Sequence, residues 1–237
     1  MKIHTGCSGF YNKHWKGIFY PDDLPASKWF NFYAEHLDTV ELNVTFYRFP
    51  TVKLLQGWYN KSPDKFLFAV KAPKLITHEK KFENCQAELH DFYNNCSLGL
   101  KEKLACLLFQ FPPSFRYSEH TLELILKNMN PDFTNVVEFR HVEWWQPDVY
   151  DAFKKNNIIF CNVNHPKLPD THIETTPITY MRLHGNPEIF YSNYSEEYLL
   201  DLHTYLNKNI HLKEAFVFFN NTASTAGIIN AQQFQAL

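Results

Sequence analysis

The sequence predicts an α/β fold, a TIM (β/α)8 barrel that residues 1–237 form as a single domain. Eight short apolar runs lie between turn signals, and such runs are typical of strands that are buried in a parallel sheet. Segments with helical periodicity separate most of the runs, as in a repeated βα unit. The length of 237 residues is close to that of one such barrel, about 250 residues.

Each apolar run ends in or near a polar side chain, and the ends of the strands are where such a barrel builds its active site. Pro112 and Pro113 stop the fourth run, because proline lacks the amide proton that a strand ladder needs. The predicted strands are Ile3–Cys7, Thr39–Asn43, Phe66–Lys71, Leu104–Gln110, Val136–Arg140, Ile158–Asn162, Thr179–His184 and Ala215–Asn220.

Seven helices are predicted between these strands, and Ser27 is the expected N-cap of the first helix. The sixth crossover, His165–Pro177, contains three prolines and no helical period, so we expect a loop to replace the sixth helix. A doubly wound open sheet has the same alternation, but no G-x-G-x-x-G turn follows the first strand. The predicted helices are Ser27–His36, Val52–Lys61, Cys85–Leu98, Ser118–Met129, Pro147–Asn156, Ser195–Leu206 and one that starts near Thr225.

Composition and charge narrow the class of protein. A hydrophobic content of 45% with 20% charged residues favours a globular core over disorder. The net charge of -2 implies no overall basic face, so an extended nucleic acid is not an expected partner. No apolar stretch reaches the roughly 18 residues of a membrane span, and the first residues lack the apolar region of a signal peptide. Five cysteines without a CxxC pair are expected to be free thiols, so a cytoplasmic location is expected.

Side chains alternate between the two faces of a strand, so every second residue of a predicted strand faces the barrel interior or its mouth. Burying several charges costs free energy that apolar residues would not, which favours a functional mouth. A network of paired charges that only holds the barrel together is the alternative. The inward or strand-terminal polar residues are Glu41, Asn43, Lys71, Gln110, Glu138, Arg140, Asn162, Arg182, His184 and Asn220.

Six blocks of the sequence carry a resemblance to a known family. They read TVELNVTFYRFP, FAVKAPKLITH, LLFQFPPSF, VEFRHVEWW, YMRLHG and FFNNTASTAGIINA. Together they resemble the YecE-like family, also called domain of unknown function 72. The resemblance extends from GCSGFYNKHWKGIFYP to INAQQFQAL, so it covers essentially the whole chain. It implies a TIM-barrel fold and brings no established activity with it.

The resemblance also implies a set of motif residues, with two departures from the family pattern. Phe10 stands where the family usually has tryptophan, and Asn162-Val163-Asn164 stands where an acid is often found near the end of strand six. An acid that served there as a metal ligand or base would be missing from this chain. The motif residues are Glu41, Asn43, Thr45, Tyr47, Lys71, His78, Gln110, Glu138, Arg140, His141, Trp144, Arg182, His184, Gly185, Asn220 and Asn221.

Anion binding is the first chemistry that these residues suggest. Arg182 can bind a carboxylate or phosphate with two parallel hydrogen bonds, and Lys71 can add a point charge. The loops after strands seven and eight, RLHGNP and FNNTASTAG, occupy the positions that often hold phosphate in TIM barrels. Thr222, Ser224 and Thr225 would surround the start of the last helix, unless Thr225 only caps it.

Three other chemistries remain open from the sequence. Glu41 and Glu138 could act as an acid–base pair, and in a glycosidase two such carboxyls lie about 5 to 9.5 Å apart. His78, His141 and His184 are suitable metal ligands together with the glutamates, but no HxH or HExxH spacing occurs. Lys71 could form a Schiff base if its pKa is lowered, although an ion pair with Glu41 explains it equally well.

The sequence therefore predicts a polar, anion-accepting site at the C-terminal face of the barrel. The expected function is an enzyme, with a hydrolase or lyase that acts on a small phosphorylated or carboxylated compound as the candidate class; the alternative is a non-catalytic binding protein for a small anionic metabolite. The prediction includes no metal ligand, leaves the cofactor and the oligomeric state open, and includes no membrane partner. The catalytic candidates are Glu41, Glu138, Lys71 and His184. The candidate substrate-binding residues are Asn43, Tyr47, His78, Gln110, Arg140, His141, Trp144, Arg182, Asn220 and Asn221.

Overall fold

Nine parallel strand segments form one sheet in the computed structural model, which describes residues 1–237. They are β1 (Lys2–Cys7), β2 (Thr39–Leu42), β3 (Leu67–Lys71), β4 (Leu104–Gln110), β5 (Asn135–Glu138), β6 (Ile159–Phe160), β7 (Asn162–Asn164), β8 (Ile178–Leu183) and β9 (Glu214–Phe219). Their order in the sheet is β6-β5-β4-β3-β2-β1-β9-β8-β7. Because β6 and β7 are consecutive in the chain, the two ends of this order meet and the sheet is a nearly closed barrel.

The sixth strand of the barrel is divided at Cys161. β6 pairs with β5, whereas β7 pairs with β8 and places Asn164 opposite Leu183. The strand thus continues to Asn164, beyond the end predicted at Asn162. The predicted (β/α)8 fold is confirmed, since β6 and β7 together fill one strand position of the barrel.

The helices connect successive strands on the outside of the barrel. The crossover from β7 to β8 contains no helix, so the predicted loop at His165–Pro177 is confirmed. None of the helices is both long and apolar enough to span a membrane. The helices are α1 (Trp29–His36), α2 (Val44–Tyr47), α3 (Val52–Tyr59), α4 (Gln86–Leu100), α5 (Glu119–Asn128), α6 (Pro147–Lys155), α7 (Glu196–Lys208) and α8 (Ala226–Gln235).

Two of the short helical segments that were not predicted follow strands of the barrel and carry candidate site residues. The single turn α2 comes after β2 and carries Tyr47, and a π-helical turn at Leu75–Glu79 follows β3 and carries His78. Both turns are too short for a helical period to be visible in the sequence. They are important for the site because they direct the chain back over the barrel mouth.

The N-cap prediction for the first helix is wrong. A 3-10 turn occupies Ala26–Lys28, so Ser27 lies inside this turn and α1 begins only at Trp29. Elsewhere the expected cap chemistry is present: Ser195 accepts a hydrogen bond from the Tyr198 amide at 3.2 Å at the start of α7.

The interior of the barrel changes from apolar to charged along the strands. A cluster of ten buried apolar residues includes Val136 of β5 and Tyr180 of β8. The next inward positions on these two strands are Glu138 and Arg182, and both are buried. The charged side chains therefore lie on an apolar floor, near the ends of the strands.

Candidate functional site

A cleft of about 820 Å³ opens at the carboxyl ends of the strands. Four of its lining residues are cationic, namely Lys71, Arg140, Lys167 and Arg182, and none is an aspartate or glutamate. The surface that a ligand would meet is therefore positively charged, although the whole chain has a net charge of -2. The other lining residues are Asn43, Phe46, Tyr47, His78, Gln110, Pro113, His165, Pro166, Leu168, Pro187, Ile189, Phe190 and Asn220.

Arg182 forms the base of this cleft and is held from below by Glu41. Its Nε and Nη2 donate to the two carboxylate oxygens of Glu41 at 2.9 and 2.6 Å, the bidentate geometry that suits a guanidinium. The Tyr180 hydroxyl donates to the same carboxylate at 2.6 Å. Glu41 is buried completely, so its charge is neutralised within the protein and does not reach the cleft.

Glu138 is the second buried carboxylate, and it contacts three basic side chains. Arg182 Nη1 donates to Glu138 Oε2 at 2.5 Å. Arg140 Nε lies 2.6 Å from Oε1 but is not oriented to form a hydrogen bond with it, so this contact is an ion pair. His184 Nε2 lies 3.2 Å from the same oxygen. Burial alone would raise the pKa of Glu138, but Arg140, Arg182 and His184 hold it well below its usual range.

His184 connects the buried carboxylate to the rim of the cleft. Its Nδ1 is 2.6 Å from Nδ2 of Asn220, which can donate a hydrogen bond to it. Its Nε2 also lies 3.2 Å from Nη2 of Arg140, so one ring nitrogen faces both an arginine donor and the Glu138 carboxylate. Burial and the positive charge of Arg140 lower the pKa of His184 well below its ordinary value, so the ring is neutral.

Lys71 lies at the end of β3 and has no carboxylate partner. Its Nζ donates to Gln110 Oε1 at 2.8 Å and lies 4.2 Å from the centre of the Phe46 ring. The Gln110 amide is fixed in this orientation, because its Nε2 donates to the Phe111 carbonyl at 2.7 Å. Burial and then the charge of Arg182 lower the pKa of Lys71 to about 8. The ion pair with Glu41 that was the alternative explanation of Lys71 is not formed, since Arg182 and Tyr180 occupy that carboxylate.

The charges of this cluster do not cancel. Arg140, Arg182 and protonated Lys71 carry three positive charges, and Glu41 and Glu138 carry two negative ones. With His184 neutral, the difference is a single positive charge at the base of the cleft. One small anion would neutralise it.

A family model described as a protein of unknown function, DUF72, matches residues 4–237. The chain belongs to the DUF72 family. The match covers nearly the whole chain and agrees with the family that the sequence blocks resemble.

Relatives and solved structures agree with this assignment. The UPF0759 protein YunF of Bacillus subtilis is 25% identical over 99% of this chain and 94% of its own length. YecE of Escherichia coli K12 is 28% identical over 48% of this chain and 42% of its own. A DUF72 family protein of Thermotoga maritima has a TM-score of 0.89 and 31% identity, over 100% of this chain and 98% of that one. A DUF72 family protein of Enterococcus faecalis, 21% identical with a TM-score of 0.84 over 99% and 94% of the chains, shares the fold.

Most of the motif residues of this DUF72 chain gather at the cleft in two layers. Eight of the sequence-predicted site residues line the cleft itself: Asn43, Tyr47, Lys71, His78, Gln110, Arg140, Arg182 and Asn220. The other catalytic candidates, Glu41, Glu138 and His184, lie beneath it and are inaccessible to a ligand in this conformation. The two glutamates share the guanidinium of Arg182, so they are not a free acid–base pair.

Three predicted substrate-binding residues do not reach the cleft. Trp144 is fully buried and donates from Nε1 to the Phe115 carbonyl at 2.8 Å. His141 accepts a hydrogen bond from the Glu143 amide at 3.3 Å, which places its ring at the start of a 3-10 turn. Asn221 is buried and donates to the Ser192 carbonyl at 2.9 Å. Each follows a polar strand end by at least one residue, and the chain has already turned away from the mouth.

The start of α8 does not form part of the cleft. Asn12 donates to the Thr222 and Ser224 carbonyls, and the Trp15 indole donates to the Ser224 carbonyl at 3.1 Å. The loop after β1 therefore covers this helix start, where a phosphate was expected. Thr225 occupies the cap position without a side-chain hydrogen bond.

Two loops supply lining residues that were not among the predicted site residues. The crossover between β7 and β8 supplies His165, Lys167 and Leu168. The loop after β8 supplies Phe190, whose φ of 70° is in the left-handed region and whose amide donates to the His184 carbonyl at 2.6 Å. Pro166 and the absence of a helical period were the only signals for the first loop, and nothing in the sequence marks Phe190.

The donor groups do not suggest a metal centre. No three His, Cys, Asp or Glu side chains are grouped so that they could hold a metal ion. Of the five possible ligands considered from the sequence, Glu41 and Glu138 bind Arg182, and His184 contacts Glu138 and Asn220.

Proposed function

We propose that the cleft binds a small molecule that carries a phosphate or a carboxylate. The observation that carries this proposal is the charge of the lining, which has four cationic side chains and no acidic one. Such a surface favours an anion and disfavours a cation through the same Coulomb terms. A volume of about 820 Å³ is suitable for a small metabolite.

The two arginines supply the hydrogen-bond donors for this anion. Arg182 directs three of its N–H groups to Glu41 and Glu138, and a guanidinium has five such groups in total. Arg140 Nη1 has no partner within the protein, and the Arg140 side chain is 14% exposed at the cleft. Because the carboxylates fix Arg182, an anion would meet donors that are already oriented, which lowers the entropic cost of binding.

For the enzyme hypothesis, the reacting groups are those that line the cleft. Lys71 and His78 are basic groups there, and both have lowered pKa values. Glu41, Glu138 and His184 then act as positioning residues that hold Arg182 and Arg140. A hydrolase or a lyase on a small phosphorylated or carboxylated compound fits this arrangement. A binding protein without turnover is the second candidate, and the occupied glutamates favour it.

Calorimetric titration of the intact protein with orthophosphate and with pyruvate tests the anion site. We expect saturable binding that is strongly weakened in Arg140→Gln and in Lys71→Gln. Arg116→Gln is the control, because Arg116 pairs with Glu143 at the surface and does not line the cleft. The anion site would be refuted if neither orthophosphate nor pyruvate binds, or if the control variant loses binding to the same extent.

Turnover distinguishes the two candidate functions. NMR spectra of mixtures of phosphorylated and carboxylated metabolites, recorded before and after incubation with the protein, report any compound that is consumed. The enzyme hypothesis predicts consumption that is lost in Lys71→Gln. Saturable anion binding with no consumption would favour the binding protein.

A further inference from the structure

We propose that Lys71 is a nucleophile, and that its amine forms an imine with a small aldehyde or ketone that also carries a carboxylate or phosphate. This inference rests on the proposed function, because it gives that anion site a substrate class. It depends on the position of Lys71 in the cleft, on the partner of its amine, and on the cations beside it.

The position of Lys71 makes its amine accessible from the cleft. Lys71 is the last residue of β3 and lines the cleft, so a ligand in the cleft can reach its Nζ. The strand fixes the main chain of Lys71, and the Thr45 hydroxyl donates to its carbonyl at 2.6 Å. The Phe46 ring lies beside the amine, with its centre 4.2 Å from Nζ. The amine is therefore held at a defined place on the wall of the cleft.

The partner of the amine is a neutral side chain. No carboxylate lies within ion-pair distance of Nζ, whereas Lys80 pairs with Glu88 and Lys74 with Glu79. Gln110 Oε1 accepts from Nζ at 2.8 Å, and a neutral amide oxygen accepts a hydrogen bond from either the charged or the free amine. Unlike a carboxylate, it adds no charge that would hold the proton on the lysine.

The neighbouring cations give the amine both its reactivity and its substrate class. With a pKa of about 8, about half of Lys71 is the free amine at pH 8, and only the free amine attacks a carbonyl carbon. Arg140 and Arg182 line the same cleft. An anionic group bound by these arginines would hold a carbonyl elsewhere in the same small molecule near Nζ.

The step is balanced without an oxidant or a second substrate. The Nζ lone pair adds to the carbonyl carbon, and the C–O π bond breaks to give a carbinolamine. Loss of water then forms the C=N bond. Both hydrogens of the amine leave with the carbonyl oxygen in that water. Reduction of the C=N bond by added borohydride would fix the adduct as a stable secondary amine.

Borohydride trapping tests the proposal directly. The intact protein is incubated with glyoxylate, pyruvate or glyceraldehyde 3-phosphate, then treated with borohydride, and the modified residue is located by peptide mass spectrometry. We expect one adduct per chain, on Lys71, with at least one probe. At pH 8 a lysine with an ordinary pKa has roughly a hundredfold less free amine, so surface lysines should react far more slowly.

Two variants serve as controls. Lys71→Arg keeps a positive charge but cannot form an imine under these conditions, and it should abolish the adduct. Lys74→Arg alters an exposed lysine three positions later in the chain that does not line the cleft, and it should leave labelling unchanged. Orthophosphate should slow the labelling of Lys71 by competition.

Labelling that is spread evenly over surface lysines, or an absence of any adduct on Lys71 with all three probes, overturns the proposal. Calorimetry with orthophosphate separates this failure from failure of the anion site. If orthophosphate binds and Lys71 is never trapped, the nucleophile is refuted and the anion site stands. If neither orthophosphate nor pyruvate binds, the anion site itself is refuted.

Discussion

At the scale of single residues, the buried cluster depends on Arg182, because its guanidinium is the only group that contacts both Glu41 and Glu138. Strand alternation predicted correctly that these three side chains face the interior, since each alternates with apolar residues on the opposite face of its strand. Their pairing could not be predicted, because it depends on which strands lie opposite one another across the barrel. The sequence alone therefore could not distinguish an acid–base pair from two carboxylates that bind one arginine.

Arg182→Met should strongly destabilise the fold. It leaves Glu41 and Glu138 buried without their shared counter-ion, and breaking a buried ion pair on one side typically costs about 3–5 kcal/mol. Urea denaturation followed by circular dichroism measures the free energy of unfolding. The surface variant Arg116→Met should have little effect. The double variant Glu41→Gln/Arg182→Met should recover part of the loss, and a double variant less stable than Arg182→Met would contradict this account.

Sulfate affinity should fall as the pH rises through about 8. The pKa of Lys71 is lowered to about 8, so its positive charge is present below that pH and lost above it. Sulfate keeps a constant charge over this pH range, so a change in its affinity comes from a group of the protein that gains or loses a proton. Calorimetry from pH 6.5 to 9.5 provides the measurement. Lys71→Arg should remove the decline, and a decline that persists in this variant would assign it to another group.

At the scale of secondary-structure elements, the strands were predictable to within about two residues, and the differences occur where the site is built. β5 ends at Glu138 and β8 ends at Leu183, so Arg140 and His184 lie just beyond their strands. Apolar runs indicate where a strand is buried, but its end is set by where neighbouring backbones stop pairing. The turns that carry Tyr47 and His78 are determined by such tertiary contacts as well.

The loop between β7 and β8 is held by two asparagines, Asn162 and Asn164. Asn162 donates to the Ile173 carbonyl at 3.1 Å and accepts from the Ile173 amide at 2.7 Å. Asn164 Nδ2 donates to Asp170 Oδ2 at 2.7 Å. Both contacts use the amide NH2 group, which a carboxylate lacks. In this chain the amides therefore position the loop that brings Lys167 to the cleft.

Asn164→Asp should loosen this loop. The new carboxylate would face Asp170 across a short distance, and losing a buried hydrogen bond costs about 1–3 kcal/mol. Hydrogen exchange of residues 165–177 should become faster, with little change in the strands. Asp170→Asn added to Asn164→Asp restores a donor opposite the carboxylate and should slow the exchange again. If the second substitution has no effect on the exchange rate, the Asn164–Asp170 contact is not what holds the loop.

At the scale of the whole molecule, the barrel has an apolar floor, a charged layer and an open cleft. Length and repeated βα units were sufficient to predict the barrel, because few folds accommodate eight buried parallel strands. The cleft was only partly predictable. Its strand-end residues follow from the alternation, whereas Phe190 and Lys167 come from loops whose course depends on contacts that are distant in sequence.

Global stability should fall as the pH drops below about 6.5. The pKa values of His184 and Glu138 are lowered in the folded protein, so the unfolded chain binds more protons in acid. His184 contributes fully to the free energy of unfolding above about pH 6.5, the pKa of an unfolded histidine, and Glu138 does so above about pH 4.3. Each contribution is lost as the pH falls further. Denaturation curves recorded from pH 8 to 4 measure the free energy of unfolding. His184→Gln should reduce the slope between pH 6.5 and 5, and exposed His14→Gln should not.

The shared guanidinium also bears on how these sequences can diverge. Replacing one member of the set Glu41, Glu138 and Arg182 leaves an uncompensated charge in the interior, so an intermediate with a single change would fold poorly. A related sequence can replace these three residues by another combination only if at least two of the positions are substituted nearly together. Across the family, these three columns should therefore vary as a block, and a lineage that has lost the arginine should also have lost a carboxylate.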